Sequence, residues 1–153
     1  MANPSLPTNL ADSFEKISIR IEETATTGSK WVARQIAQLI QAKQKKKQKV
    51  ILGLATGSTP KSLYAELVRL HKEEGLSFKN VVTFNLDEYY PIEKEALQSY
   101  HRFMHMHLFD HIDINPKNIH IPSGETEKEK IKDREFLFQI EQEYTKAIMP
   151  YLR

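Results

Sequence analysis

The sequence predicts an α/β protein built on a parallel sheet with flanking helices, and three stretches carry that prediction. "VILGLA" (50–55) and "NVVTFNLDEYY" (80–90) are nearly continuous apolar β-formers, the pattern of strands covered on both faces. Between them, "PKSLYAELVRLHKEEG" (60–75) places Leu63, Leu67 and Leu70 at helical spacing. Strand, helix and strand within about forty residues make a βαβ unit, whose crossover is right-handed in nearly all proteins.

The remaining elements follow in order. Residues 1–15, with Pro4 and Pro7, read as a flexible lead-in, and residues 16–153 as one α/β domain. "KISIRIEE" (16–23) alternates Ile17, Ile19 and Ile21 with polar residues, which predicts a half-exposed edge strand. "TTGSKWVARQIAQLIQAK" (26–43) changes to helical spacing, with Ser29 as its expected cap. The lysine-rich run 43–49 suits the negative end of that helix and a solvated loop. In the βαβ unit, Thr59 is the expected cap of the central helix, Pro60 its first residue and Gly75 its stop. "LQSYHRFMHMHLFDHI" (97–112) predicts an amphipathic helix whose aromatic and methionine residues, Tyr100, Phe103 and Met104 among them, are core. "NIHIPSG" (118–124) reads as a short extended segment, and 133–149 as a last helix.

Composition excludes several classes of function. Lys plus Arg number 22 against 20 for Asp plus Glu, a balance that gives no support for a nucleic-acid partner. There is no cysteine, so disulfides, thiolate metal sites and a cysteine nucleophile are excluded together. No apolar run reaches the roughly 18 residues that a membrane helix needs. The start of the chain lacks the basic and apolar blocks of a signal peptide, and a soluble cytoplasmic protein is expected.

Open parallel sheets bind ligands at the carboxyl ends of their strands, where helix N-termini gather. Two segments fall there. In Ala55-Thr56-Gly57-Ser58-Thr59, small residues and hydroxyls precede a helix whose first amides can hold an anion, although a tight turn needs the same residues. The stretch does not match a Walker loop. Asp87 and Glu88 follow the second apolar strand at the same edge, placed to take a proton from a carbon next to a carbonyl, or to cap a helix. If the strand continues, only one of the two faces the ligand. Five histidines lie between His101 and His120, and His101 with His105 has zinc-clamp spacing. No HExxH and no third ligand accompany them, so no metal is assigned.

With these residues in place, 52–92 ("LGLATGSTPKSLYAELVRLHKEEGLSFKNVVTFNLDEYYPI") and 99–124 ("SYHRFMHMHLFDHIDINPKNIHIPSG") resemble the N-terminal half of glucosamine-6-phosphate deaminases. The resemblance runs from about Trp31 to Gly124. It implies a Rossmann-like sheet and a reaction without organic cofactor: glucosamine 6-phosphate and water give fructose 6-phosphate and ammonia. It implies that Thr56, Gly57, Ser58 and Thr59 hold the substrate phosphate, with Ala55 and Glu88 as neighbours. It also implies that Asp87 moves the proton between C2 and C1. The family's second catalytic segment, GxGxDGHxAFNEP, has no counterpart here. The sheet is therefore expected to be incomplete, leaving an apolar edge through which copies of the chain associate. The alternatives are a non-catalytic sugar-phosphate-binding half-domain and a 6-phosphogluconolactonase-like hydrolase. FNLDEY followed by SYHRFM argues against the lactonase, in which an arginine is expected after the Asp-Glu pair.

Overall fold

The computed structural model describes residues 20–125 together with Lys146 and Met149. The lead-in and most of the helix predicted over 133–149 lie outside the described residues.

Helix α1 spans Ala25–Lys45. It begins earlier than Ser29, because Thr24 and Thr27 exchange hydrogen bonds: Thr27 N donates to Thr24 Oγ1 at 3.1 Å, and Thr24 N to Thr27 Oγ1 at 3.2 Å. This reciprocal box satisfies the first free amides. Ser29 then lies inside the helix, with its hydroxyl 2.6 Å from that of Ser62. The strand expected over 16–23 is not formed in its described part, Arg20–Glu23. Alternation needs a neighbouring strand to become a ladder, and among the described residues none lies beside it. Ile21 is 87% exposed, while Arg20 pairs with Glu22 and lies over the Trp31 ring.

Strand β1 (Val50–Leu54), helix α2 (Lys61–Glu74) and strand β2 (Val81–Asn85) form the predicted βαβ unit. The strands are parallel, with Val50 opposite Val81 and Leu54 opposite Asn85. Gly75 ends α2 in the left-handed region at φ 71°, a conformation that glycine adopts without steric cost. Helix α3 (Tyr100–His107) follows, then two 3₁₀ turns, and β3 (Ile119–His120) pairs parallel with β2. The sheet order is β1-β2-β3. All five residues of β2 are buried, as its apolar sequence predicts. On β1 the expectation of two covered faces fails at Gly53, which is exposed, and at Ile51 and Leu52, which are half-buried. The reason is position: among the described residues β1 forms the margin of the sheet.

One core runs through the described domain. Ala33, Ala37 and Ile40 from α1 join Tyr64, Leu67 and Leu70 from α2, Val50 and Leu54 from β1, Val81 from β2 and Met104 from α3. Among the described residues no helix is long and apolar enough to cross a membrane.

Candidate active site

The carboxyl ends of β1 and β2 are locked together. Asn85, fully buried at the end of β2, donates from Nδ2 to the carbonyl of Leu54, its register partner, at 2.9 Å. The two segments singled out by the sequence leave the sheet from these two residues, so strand pairing brings them to one ledge.

On the β1 side, Ala55, Gly57, Ser58 and Thr59 are exposed and Thr56 half-buried. Gly57 has φ 104°, so the turn itself requires glycine there. Beneath it, the buried Tyr64 hydroxyl donates to the Ala55 carbonyl, and burial pushes this phenol up to about 12. Thr59 does not cap α2: Pro60 occupies the cap position, with no side-chain bond to the helix amides. The first amides of α2 therefore keep no side-chain acceptor, which is the electrostatic requirement for holding an anion.

On the β2 side the strand stops at Asn85, two residues sooner than a continued strand would carry it to Asp87. Leu86 turns outward, 88% exposed, and Asp87 follows in an exposed position. The alternating-face rule therefore does not apply to the acid pair, and the two carboxylates separate by role. Glu88 is held at the start of α3. Its Oε1 accepts from Tyr100 N at 2.8 Å and Tyr89 N at 2.9 Å; its Oε2 accepts from His101 N at 2.8 Å and Ser99 Oγ at 3.0 Å. Burial alone would raise this carboxyl, but the four donors outweigh it and hold Glu88 below the ordinary carboxylate range. Glu88 is thus a structural anchor, and Asp87 is the exposed acid of the pair.

Tyr100 was expected in the core, but it is half-buried and works at the ledge instead. Its hydroxyl is hydrogen-bonded with Tyr89 and with Thr56, and it feels the charge of Asp87. The bond to Tyr89, then burial, push this phenol up. The Tyr89 and Tyr100 rings lie 4.8 Å apart. Tyr100 therefore joins the loop after β1 to the segment after β2. One local signal points to it: Tyr100 is the first helical residue after a capping Ser99, close to where helix N-termini meet the ledge.

The histidines lie elsewhere. His101 and His105 stack with ring centroids 4.5 Å apart, and His105 Nδ1 sits 2.8 Å from Asp110 Oδ1. They line a cavity of about 410 Å³ with Ile92, Ile119, Ile121 and Gly124. Of the residues assigned to the site, that cavity includes Glu88 alone. Among the described residues no group of three or more His, Asp or Glu side chains could hold a metal ion.

Comparison with known proteins shows the family. The family model described as glucosamine-6-phosphate isomerases/6-phosphogluconolactonase matches residues 23–149. Over 124 residues the chain is 50% identical to the glucosamine-6-phosphate deaminase of Treponema denticola, covering 80% of this chain and 43% of that one. It is 46% identical over 115 residues to the deaminase of Actinobacillus pleuropneumoniae, covering 74% and 43%. A solved monomeric glucosamine-6-phosphate deaminase superposes with a TM-score of 0.64 at 37% identity, covering 78% of this chain and 48% of that one. The 6-phosphogluconolactonase of Trypanosoma brucei superposes at 0.67 with 21% identity over 90% of this chain, a likeness of fold alone. The chain spans less than half the length of these two curated relatives. With its Rossmann-like parallel sheet and its paired loops at the strand ends, the chain belongs to the glucosamine-6-phosphate isomerase/6-phosphogluconolactonase family.

Proposed function

We propose that this chain carries the phosphate-holding loop and the proton-transferring acid of a glucosamine-6-phosphate deaminase. One observation supports this most: the pairing of Leu54 with Asn85 sets the Thr56–Thr59 loop and Asp87 on one ledge. A sugar phosphate lies along that ledge with its phosphate on the loop hydroxyls and the first amides of α2. Its C1–C2 end lies at Asp87, whose carboxylate takes the proton from C2 and returns it to C1. With that transfer, one proton leaves the amine nitrogen and one reaches the C1 oxygen, so the C1 aldehyde becomes an alcohol and the C2 amine an imine. Water hydrolyses the imine to the ketone, releasing ammonia. No organic cofactor is needed, because only protons are moved and one C–N bond is hydrolysed.

The test is a coupled assay for fructose 6-phosphate formed from glucosamine 6-phosphate, run on the chain and on Asp87→Asn. Product from the chain, with a loss of at least about 10²-fold in the variant, is expected if Asp87 is the general base. Equal rates in both would exclude Asp87 as the base. Saturable binding of the sugar phosphate with no product from either would leave a binding half-domain.

A further inference from the structure

We infer that Gly124 is a positioning residue for Asp87: its bare backbone clamps the segment that leaves β2, so that β3 helps to set where the acid stands. The clamp itself is a matter of contacts, whereas its bearing on catalysis rests on the reading of Asp87 as the proton-transferring acid.

Gly124 is buried, and its φ is not positive, unlike those of Gly57 and Gly75. Conformational freedom is therefore not what the position requires. The requirement is a close approach of two backbones. A Cβ on Gly124 would stand 2.5 Å from the carbonyl oxygen of Tyr89 and 3.0 Å from that of Ile92, and would overlap Cγ2 of Ile92. Ordinary contact begins at 3.4 Å, so the Tyr89 carbonyl would have to retreat by about 0.9 Å. Two of these three atoms are backbone, which no change of rotamer moves aside.

Hydrogen bonds hold the two segments at this distance. Ile92 N donates to the Gly124 carbonyl at 3.0 Å, and Lys94 N donates to Glu125 Oε1 at 3.0 Å. The Lys94 ammonium lies 3.7 Å from Glu125 Oε2, and Glu125 N donates to Ser123 Oγ at 3.3 Å. Gly124 is in turn placed from the sheet. It follows closely on β3, whose register on β2 sets Thr83 opposite Ile119 and Phe84 opposite His120. The Phe84 and His120 rings stack with centroids 4.5 Å apart, which resists slippage of that register.

The segment after β2 therefore has three fixed points. Asn85 is tied to Leu54, Glu88 to the start of α3, and Tyr89 with Ile92 to Gly124. Asp87 stands between the first two. The third bears on the second, because Tyr89 N donates to Glu88 Oε1 at 2.9 Å and the Tyr89 ring lies against that of Tyr100. A side chain at position 124 pushes the Tyr89 carbonyl, and only Glu88 separates Tyr89 from Asp87 in the chain. The Thr56–Thr59 loop has supports of its own, the Tyr64 hydroxyl on the Ala55 carbonyl and the Asn85 amide on the Leu54 carbonyl. Its hold on a phosphate is expected to persist. Misplacing a catalytic group by about 1 Å costs up to about 10²-fold in rate.

Hydrogen exchange and kinetics on Gly124→Ala test the clamp and its consequence separately. Gly28→Ala is the control, because a Cβ there meets nothing closer than 3.9 Å. In Gly124→Ala, but not in the control, the amides of Tyr89, Ile92, Tyr100 and His101 are expected to exchange at least about tenfold faster, with those of β2 unchanged. Unchanged exchange at these four amides, or an equal acceleration throughout β2, overturns the clamp. Should Gly124→Ala fail to fold, Glu125→Ala decides: it removes the acceptor of Lys94 N without adding bulk. Faster exchange at Tyr89 and Ile92 is then expected, and unchanged exchange overturns the clamp. In the coupled assay, Gly124→Ala is expected to lower kcat at least about tenfold, with KM and the affinity for inorganic phosphate within about twofold of wild type. Full kcat despite faster local exchange overturns the link to Asp87, and so does a kcat lost together with phosphate affinity. No product from the wild type overturns the proton-transfer reading and the catalytic consequence with it, while the exchange comparison still decides the clamp.

Discussion

Glu88 shows how one carboxylate organises the ledge through hydrogen bonds. Four donors converge on it, from Tyr89, Ser99, Tyr100 and His101. It fastens the segment after β2 to the N-terminus of α3, where the amides of Tyr100 and His101 have no partner within the helix. Because its folded pKa lies below the ordinary 4.5, its contribution to stability is complete above that value. The contribution is lost as the pH falls through the lower folded value. Glu88→Gln removes the charge and one acceptor, with an expected cost of about 1–2 kcal/mol, the lower part of the range for charged hydrogen bonds because the group is partly exposed. In thermal melts the variant is expected to be less stable than wild type at pH 7. Its loss of stability between pH 6 and 3 should be shallower. Parallel pH profiles for the two proteins would show that the anchoring is not ionic.

At the scale of elements, Thr83 on β2 sets a local rule against its neighbourhood. It is 1% exposed between Leu52 and Ile119, and its hydroxyl has no hydrogen-bond partner among the described residues. A buried hydroxyl without a partner costs more than the methyl that would replace it. Thr83→Val is therefore expected to raise stability by about 1 kcal/mol, visible as an upward shift of the melting midpoint by several degrees. A downward shift would mean that the hydroxyl has a partner. The elements themselves were legible wherever the signal is local. The apolar runs of β1 and β2, the leucine spacing of α2 and Gly75 at its end all depend on neighbours in sequence. Over Arg20–Glu23, the described part of the expected strand, alternation did not suffice, because it describes one chain and a strand needs two. The start of α1 was misread because Thr24 and Ser29 carry equivalent hydroxyls, and only the partner at Thr27 separates them. The same division holds at the ledge. Residues 55–59 and Asp87 were legible because strand ends are. The bond of Tyr100 with Thr56 and the four donors at Glu88 were not, because tertiary packing alone makes them neighbours.

For the molecule as a whole, β2 carries the strongest mechanical constraint. It is flanked by β1 on one side and β3 on the other, and every residue in it is buried. The core cluster takes side chains from β1, β2 and the three helices α1–α3, so none of these elements can leave without opening that core. Amides of β2 are accordingly expected to exchange with solvent only through global unfolding, and so to be the last to exchange under native conditions. Amides of β3, a two-residue strand of half-buried residues, should exchange sooner through local opening. The ledge inherits this gradient: Asp87 stands two residues beyond the best-protected strand, whereas the Thr56–Thr59 loop leaves β1, which among the described residues pairs on one side only. Native-state hydrogen exchange followed residue by residue measures the order directly. Exchange from β3 or α3 slower than from β2 would show that the stability of the domain is centred away from the βαβ unit. The expected order would make β2 the rigid support on which Asp87 is held, leaving the loop after β1 as the part of the ledge that adjusts to a ligand.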